Sequence, residues 1–262
     1  MVKLKSKSGK WALYGDANAQ IVVCGHSHAA SILEATTLSK AQSKIEPAIA
    51  VCYSTDWTVG PPGDKEYWNF VADLSEEKHV VIVWNGNQHI ANFLFQTDPP
   101  FTLMGAQEEL SEKKFLPIPR TMVKHFFETF FLELDEIVPL MTNTKSVTLM
   151  SGPAPKPSTY IKPRIKDEPF LVNVAKSLQV DLDSLEISSD RIRLELWKLM
   201  SEMLEIRAKR LEAKFLSAPD EAVDSCGMLL ETYSGQDVSH ANAEYGALLM
   251  EKILDFCEVK PS

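Results

Sequence analysis

The chain has 262 residues, 45% of them apolar and 24% charged, with 11 glycines and 15 prolines, a composition that excludes disordered and collagen-like chains. Basic residues number 27 against 36 acidic ones, a net charge of -9 that argues against nucleic acid as a partner. No stretch approaches the roughly 18 continuous apolar residues of a membrane span, and no long apolar run follows the basic start MVKLKSKSGK as a secretion signal requires, so no membrane partner and a cytoplasmic setting are expected.

A chain of this length can bury the core of one α/β domain, and a single domain over 1–262 is expected. Residues 19–24 read as a buried strand ending at Gly25, and 28–42 as the helix that follows. Residues 48–53 form a second strand. HVVIVW at 79–84 is a third, too short and too β-branched for a helix. From 120 to 140, Val123, Phe127, Phe131, Leu134 and Val138 recur at helical spacing and predict one long helix. A fourth strand at 146–150 precedes a second long amphipathic helix at 190–211, a weaker strand at 212–216 and a closing helix at 242–257. Cys24 and Cys52 sit inside apolar runs, and the four cysteines lack the paired spacing of a zinc site.

Apolar strands alternating with helices predict a three-layer α/β/α domain around a parallel sheet of about five strands. Ligands of such sheets bind beyond the carboxyl ends of the strands. The loops to inspect therefore begin at Gly25, Ser54, Asn85 and Ser151, together with the segment before the last helix.

Three of those places carry chemistry. Ser27, in IVVCGHSHAAS, follows a buried strand at the mouth of a helix, where its hydroxyl is exposed and its own N–H can face an oxyanion; a plain helix cap uses the same residues. In QDVSHANAEYG, Asp237 and His240 stand three apart before the closing helix. A serine needs such a histidine to take its proton and a carboxylate to hold that histidine, although a solvated turn is the simpler reading of the pair alone. In VVIVWNGNQHIANF, Gly86 permits a sharp turn off the strand and Asn87 offers an amide donor at the same edge of the sheet.

In their order and placement these pieces resemble the SGNH (GDSL-type) hydrolases across nearly the whole chain. Gly25-His26-Ser27 matches the family's Gly-Asp-Ser turn, Asn87 its asparagine and Asp237-x-x-His240 its closing turn, with Gly60 in STDWTVGPPG the match for its glycine. The resemblance implies a flavodoxin-like sheet of strand order 2-1-3-4-5 and a Ser-His-Asp triad of Ser27, His240 and Asp237. It also implies an oxyanion hole from Ser27, Gly60 and Asn87, and no cofactor or metal. His26 departs from the usual aspartate, and GNQH departs from Gly-x-Asn-Asp, which leaves Gln88 as a rival to Asn87.

Other readings use the same residues. GHSHA lies one residue from the Gly-x-Ser-x-Gly elbow of α/β-hydrolases, but that elbow sits mid-chain and its acid lies far from its histidine. GHSH and GNQH echo two-metal phosphoesterase signatures, in reversed order and without the acidic motifs. A doubly wound domain that binds a ligand without turnover is a third. The expected activity is hydrolysis of an O-acyl ester, a short acyl group on a carbohydrate or other polar metabolite, with acyl transfer the nearest variant. A Pro-rich loop at 151–170 carries Lys156, Lys162, Arg164 and Lys166, the one place for an acidic substrate. His28, His89, Lys162 and Arg164 are the substrate-binding candidates, while Trp57, Tyr67 and Trp68 suit either sugar stacking or packing.

Overall fold

The computed structural model describes residues 2–5, 11–42, 49–54, 65–84, 87–104 and 115–260. In chain order the first half comprises β1 (Val2–Lys5), β2 (Trp11–Tyr14), β3 (Ile21–Gly25), α1 (Ala29–Gln42), β4 (Ile49–Ser54), α2 (Lys65–Leu74), β5 (His79–Val83) and α3 (Gln88–Phe93). There follow β6 (Phe101–Leu103), β7 (Leu116–Ile118), α4 (Arg120–Glu128), α5 (Leu134–Ile137), β8 (Ser146–Met150), α6 (Ser158–Ile161), α7 (Pro169–Leu178), α8 (Asp190–Arg210), β9 (Lys214–Leu216) and α9 (Ala243–Phe256). None of the described helices is long and apolar enough to cross a membrane.

The main sheet runs β1-β2-β4-β3-β5-β8-β9. Its five parallel strands, β4-β3-β5-β8-β9, have the flavodoxin-like order 2-1-3-4-5. Residues Ile21 to Gly25 pair with Ile49 to Tyr53 on one side and with His79 to Val83 on the other. Because alternate side chains of a strand point to opposite faces, each of these short apolar strands feeds two cores. Val23, Val51 and Val81 pack toward Ile32 of α1 and Leu249 of α9. Cys24, Cys52 and Ile82 pack toward Tyr67 of α2, Phe127 of α4 and Leu196 of α8. Helices on both faces of a mostly parallel sheet make the three-layer α/β/α domain.

Several features differ from the sequence expectation. The sheet is mixed and has seven strands, because β2 adds antiparallel to β4 and β1 antiparallel to β2. The helix expected over 120–140 is divided into α4, a run of turns, α5 and a 3-10 turn at Val138–Leu140. The Trp84 indole N–H takes the Phe130 carbonyl at 3.0 Å, and the Leu134 N–H bonds Phe131 rather than Phe130. Main-chain bonding through this stretch follows the tighter three-residue spacing, Phe130 N–H on Phe127 and Phe131 N–H on Glu128 as well, which amphipathic spacing cannot reveal. In the Pro-rich loop expected to be open to an acidic substrate, residues 151–156 are buried, and α6 and a 3-10 segment at Lys162–Asp167 follow them.

Candidate active site

β3 delivers Ser27 to the carboxyl edge of the sheet. Gly25 closes the strand at φ +144°, and a Cβ there would lie 2.4 Å from the Val83 carbonyl oxygen of β5, so only glycine fits between the two strands. The Gly25 N–H donates to the Tyr67 hydroxyl at 2.8 Å, and that hydroxyl donates to the Cys52 carbonyl at 2.8 Å. Tyr67 thus ties the ends of β3 and β4 together under the turn. It is fully buried in α2, and Trp68 nearly so, which makes both packing residues rather than a sugar platform. His26 turns away from Ser27 into an aromatic cluster, its ring 6.3 Å from Trp68 and 6.4 Å from Trp84. Ser27 is 8% exposed, and the first bonds of α1 accept at His26 and Ser27.

The Asp237 to His240 turn is closed by its own carboxylate. Asp237 Oδ1 accepts the backbone N–H groups of Ser239 at 2.7 Å and His240 at 2.6 Å, while Oδ2 meets His240 Nδ1 at 2.7 Å. Partial burial works to raise the Asp237 pKa, but the hydrogen bond and charge of His240 and the two N–H donors outweigh it, and the carboxyl is held well below the ordinary carboxylate range. An ionised carboxylate only accepts, so the proton between the two groups sits on His240 Nδ1. Asn242, the next polar residue, caps α9 by accepting the Tyr245 N–H at 3.1 Å.

Asn87 precedes α3 and brings the third loop to this point. Its Oδ1 lies 2.8 Å from His28 Nε2, and its Nδ2 lies 3.5 Å from His240 Nε2. The His28 and His240 rings are 5.0 Å apart between centroids. Burial, reinforced by the His240 charge, lowers the His28 pKa to about 3, so His28 is neutral near pH 7. Gln88 makes no such contact: its Oε1 is buried and has no hydrogen bond within the described structure. The turn carrying Ser27, the Asp237–His240 pair and Asn87 therefore converge at one end of the sheet. No hydrogen bond of 3.5 Å or less links Ser27 Oγ to His240 among the described residues.

Two solved structures share this architecture. A GDSL-like lipase from Bacteroides thetaiotaomicron superposes with a TM-score of 0.50 at 14% identity, covering 92% of this chain and 88% of its own. A candidate acylhydrolase from Bacteroides fragilis gives the same score and identity over 93% and 89% of the two chains. No protein-family model and no curated protein matches the sequence. At 14% identity, the likeness shows the fold, a three-layer α/β/α domain.

The remaining candidates are placed differently. Gly60 and Trp57 lie outside the described residues. His89 is buried within α3. Arg164 stacks on Tyr160, 3.6 Å from the ring centre, and donates to the Tyr160 carbonyl at 3.0 Å. Lys162 is exposed and lines a cleft of about 310 Å³ with Lys166 and Asp183 that contains no triad candidate. The described residues hold no group of three or more His, Cys, Asp or Glu arranged for a metal ion.

Lys156 has a place that sequence reasoning did not assign. Its side chain has no exposed surface, and Nζ donates to the carbonyls of Gly235 at 2.7 Å and Asp237 at 2.6 Å, 3.8 Å from Asp237 Oδ1. The Tyr160 hydroxyl donates to the same Gly235 carbonyl at 2.8 Å, and Arg193 Nη2 holds the Lys156 carbonyl at 3.2 Å. The buried Pro-rich segment is thus a buttress beneath the Asp237–His240 turn. The one available signal was a lysine between prolines in an otherwise apolar stretch, GPAPKP.

Proposed function

We propose that the chain is a serine hydrolase that cleaves an O-acyl ester through an acyl-enzyme, the acyl group short and the alcohol a carbohydrate or other polar metabolite. The observation that carries this reading is the bonded Asp237–His240 pair, whose Nε2 lies on the side of Asn87 and of His28, the residue after Ser27. Ser27 Oγ attacks the acyl carbon while its proton passes to His240 Nε2, and Asp237 stabilises the resulting imidazolium. The Ser27 N–H, the Asn87 amide and the Gly60 N–H take the oxyanion. His240 returns the proton to the leaving alcohol, then draws one from a water that frees the acyl group. For the first step Ser27 Oγ turns onto His240 Nε2, a bond that ligand-free sites commonly leave unmade.

Fluorophosphonate labelling and turnover of 4-nitrophenyl acetate test the reading. Wild-type protein is expected to be labelled on Ser27 and to hydrolyse the ester, and Ser27→Ala to do neither. A well-folded wild type that resists the reagent and spares the ester sinks the proposal and leaves a ligand-binding fold.

A further inference from the structure

Asn87 is joined to two histidines, and the chain of hydrogen bonds through it has one consistent direction. It begins at Asp237, which accepts the Nδ1 proton of His240. In the neutral histidine that a general base must be, Nε2 is then an acceptor, so the Asn87 atom that faces it at 3.5 Å is the donor Nδ2. That places Asn87 Oδ1 toward His28, 2.8 Å from Nε2, and only a protonated Nε2 can satisfy it. The proton of neutral His28 is thereby assigned to Nε2, and Nδ1 is left bare, buried and without a hydrogen bond within the described structure. With His240 as the neutral base that the hydrolase reading requires, no other assignment of protons to these four side chains avoids setting two donors or two acceptors face to face.

From this we infer that His28 is a positioning residue that fixes the Asn87 carboxamide, with the amide nitrogen turned to the reaction centre and the carbonyl turned away. The inference rests on the proposed hydrolase reading, in which Asn87 is an oxyanion donor. An asparagine amide is nearly symmetric in shape, and reversing it would aim a carbonyl oxygen at a developing oxyanion. His28 adjoins Ser27 in sequence, so one turn delivers both the nucleophile and the group that orients its partner donor. When His240 becomes an imidazolium, its Nε2–H no longer accepts from Asn87 Nδ2. The amide is released toward the oxyanion at the moment that charge forms, while His28 retains its grip on the carbonyl.

Two measurements test this, one of them independent of activity. Imidazole ¹⁵N chemical shifts near pH 7 are expected to show His28 as the Nε2–H tautomer and His240 as the Nδ1–H tautomer. A His28 proton on Nδ1 would reverse Asn87 and overturn the inference, whether or not the protein hydrolyses esters. The second is a kinetic cycle on 4-nitrophenyl acetate. His28→Leu, which removes the donor, is expected to lower kcat about tenfold or more with KM little changed. His28→Gln, whose amide nitrogen occupies nearly the same place, is expected to recover most of that loss. In an Asn87→Ala background, His28→Leu is expected to add little, because its effect passes through Asn87. A wild-type kcat in a folded His28→Leu protein, or an equally large loss with Asn87 absent, overturns the positioning role. Failure of the wild type to be labelled by fluorophosphonate overturns instead the hydrolase reading beneath it.

Discussion

At the residue scale, Lys156 is the side chain whose environment has the largest consequence outside the reacting groups. Burial lowers its pKa from 10.5 to about 8, with the Asp237 charge opposing the shift in part. Asp237, Arg164 and Glu168 are the charged groups that act on it. Between about pH 8 and 10.5 the unfolded chain binds this proton and the folded protein does not, so the Lys156 contribution to stability rises with pH across that window. Comparing urea midpoints of the wild type and Lys156→Met isolates the effect. The wild type is expected to gain on the variant by about 1–3 kcal/mol between pH 7.5 and 10, and a difference that stays constant with pH would show that Lys156 keeps its ordinary titration. Lys156→Met also leaves the Gly235 carbonyl to Tyr160 alone and releases that of Asp237, so kcat on the test ester is expected to fall. Asn87 and Gln88 offer a second test at this scale. Asn87→Ala is expected to lower turnover by about 10² or more, the scale of a lost oxyanion donor. Gln88→Ala, at a side chain whose carbonyl oxygen makes no hydrogen bond within the described structure, is expected to leave it within a few fold.

Among the elements, α1 and α9 meet backbone against backbone. A Cβ on Gly246 would stand 2.0 Å from the carbonyl oxygen and 2.4 Å from the carbonyl carbon of Ser31, both backbone atoms that cannot turn aside. The turn carrying Ser27 leads into α1, and the turn carrying His240 leads into α9. Gly246→Ala must therefore separate the two helices and, with them, the nucleophile from its base. The expected result is a loss of roughly 1–3 kcal/mol from overpacking, accompanied by a fall in kcat that thermal stability alone does not predict. Asn242→Ala supplies the contrast. It removes the cap of α9 and should cost about 1 kcal/mol without prying the helices apart. Equal effects of the two substitutions on kcat at matched stability would show that the spacing of α1 and α9 does not govern the site.

For the whole molecule, the sharing of strands between two cores matters most. Val23 and Cys24, adjacent in β3, belong to opposite layers, as do Val81 and Ile82 in β5. Neither layer can lose its strands without the other losing them too, so the parallel sheet is expected to unfold as one unit. Trp68 and Trp84 report from one layer and Trp197 packs against the other. Tryptophan fluorescence and far-ultraviolet circular dichroism should consequently share a midpoint in urea. Separate midpoints would show that a layer can melt by itself.

What the sequence determined without help was local in its physics. Ile21 to Gly25, Ile49 to Ser54, His79 to Val83 and Ser146 to Met150 are strands because short apolar, β-branched runs ended by turn-forming residues can be buried on both faces. The Asp237–His240 bond was legible for a similar reason, since three residues of turn bring a carboxylate back to Nδ1 without any tertiary partner. Everything decided by distant partners was hidden. His28 meets Asn87 across 59 residues, Asn87 meets His240 across 153, and Lys156 reaches Asp237 across 81. Trp84 donates to a carbonyl of the interrupted helical stretch 46 residues away. The antiparallel addition of β1 and β2 depends on which edge of the sheet remains open, and the weak apolar pattern of so short a pair does not announce it. Spacing along the chain records which groups can meet within a turn; which loops stand together at the end of a sheet follows from strand order and helix packing, and those exist only once the two cores have formed.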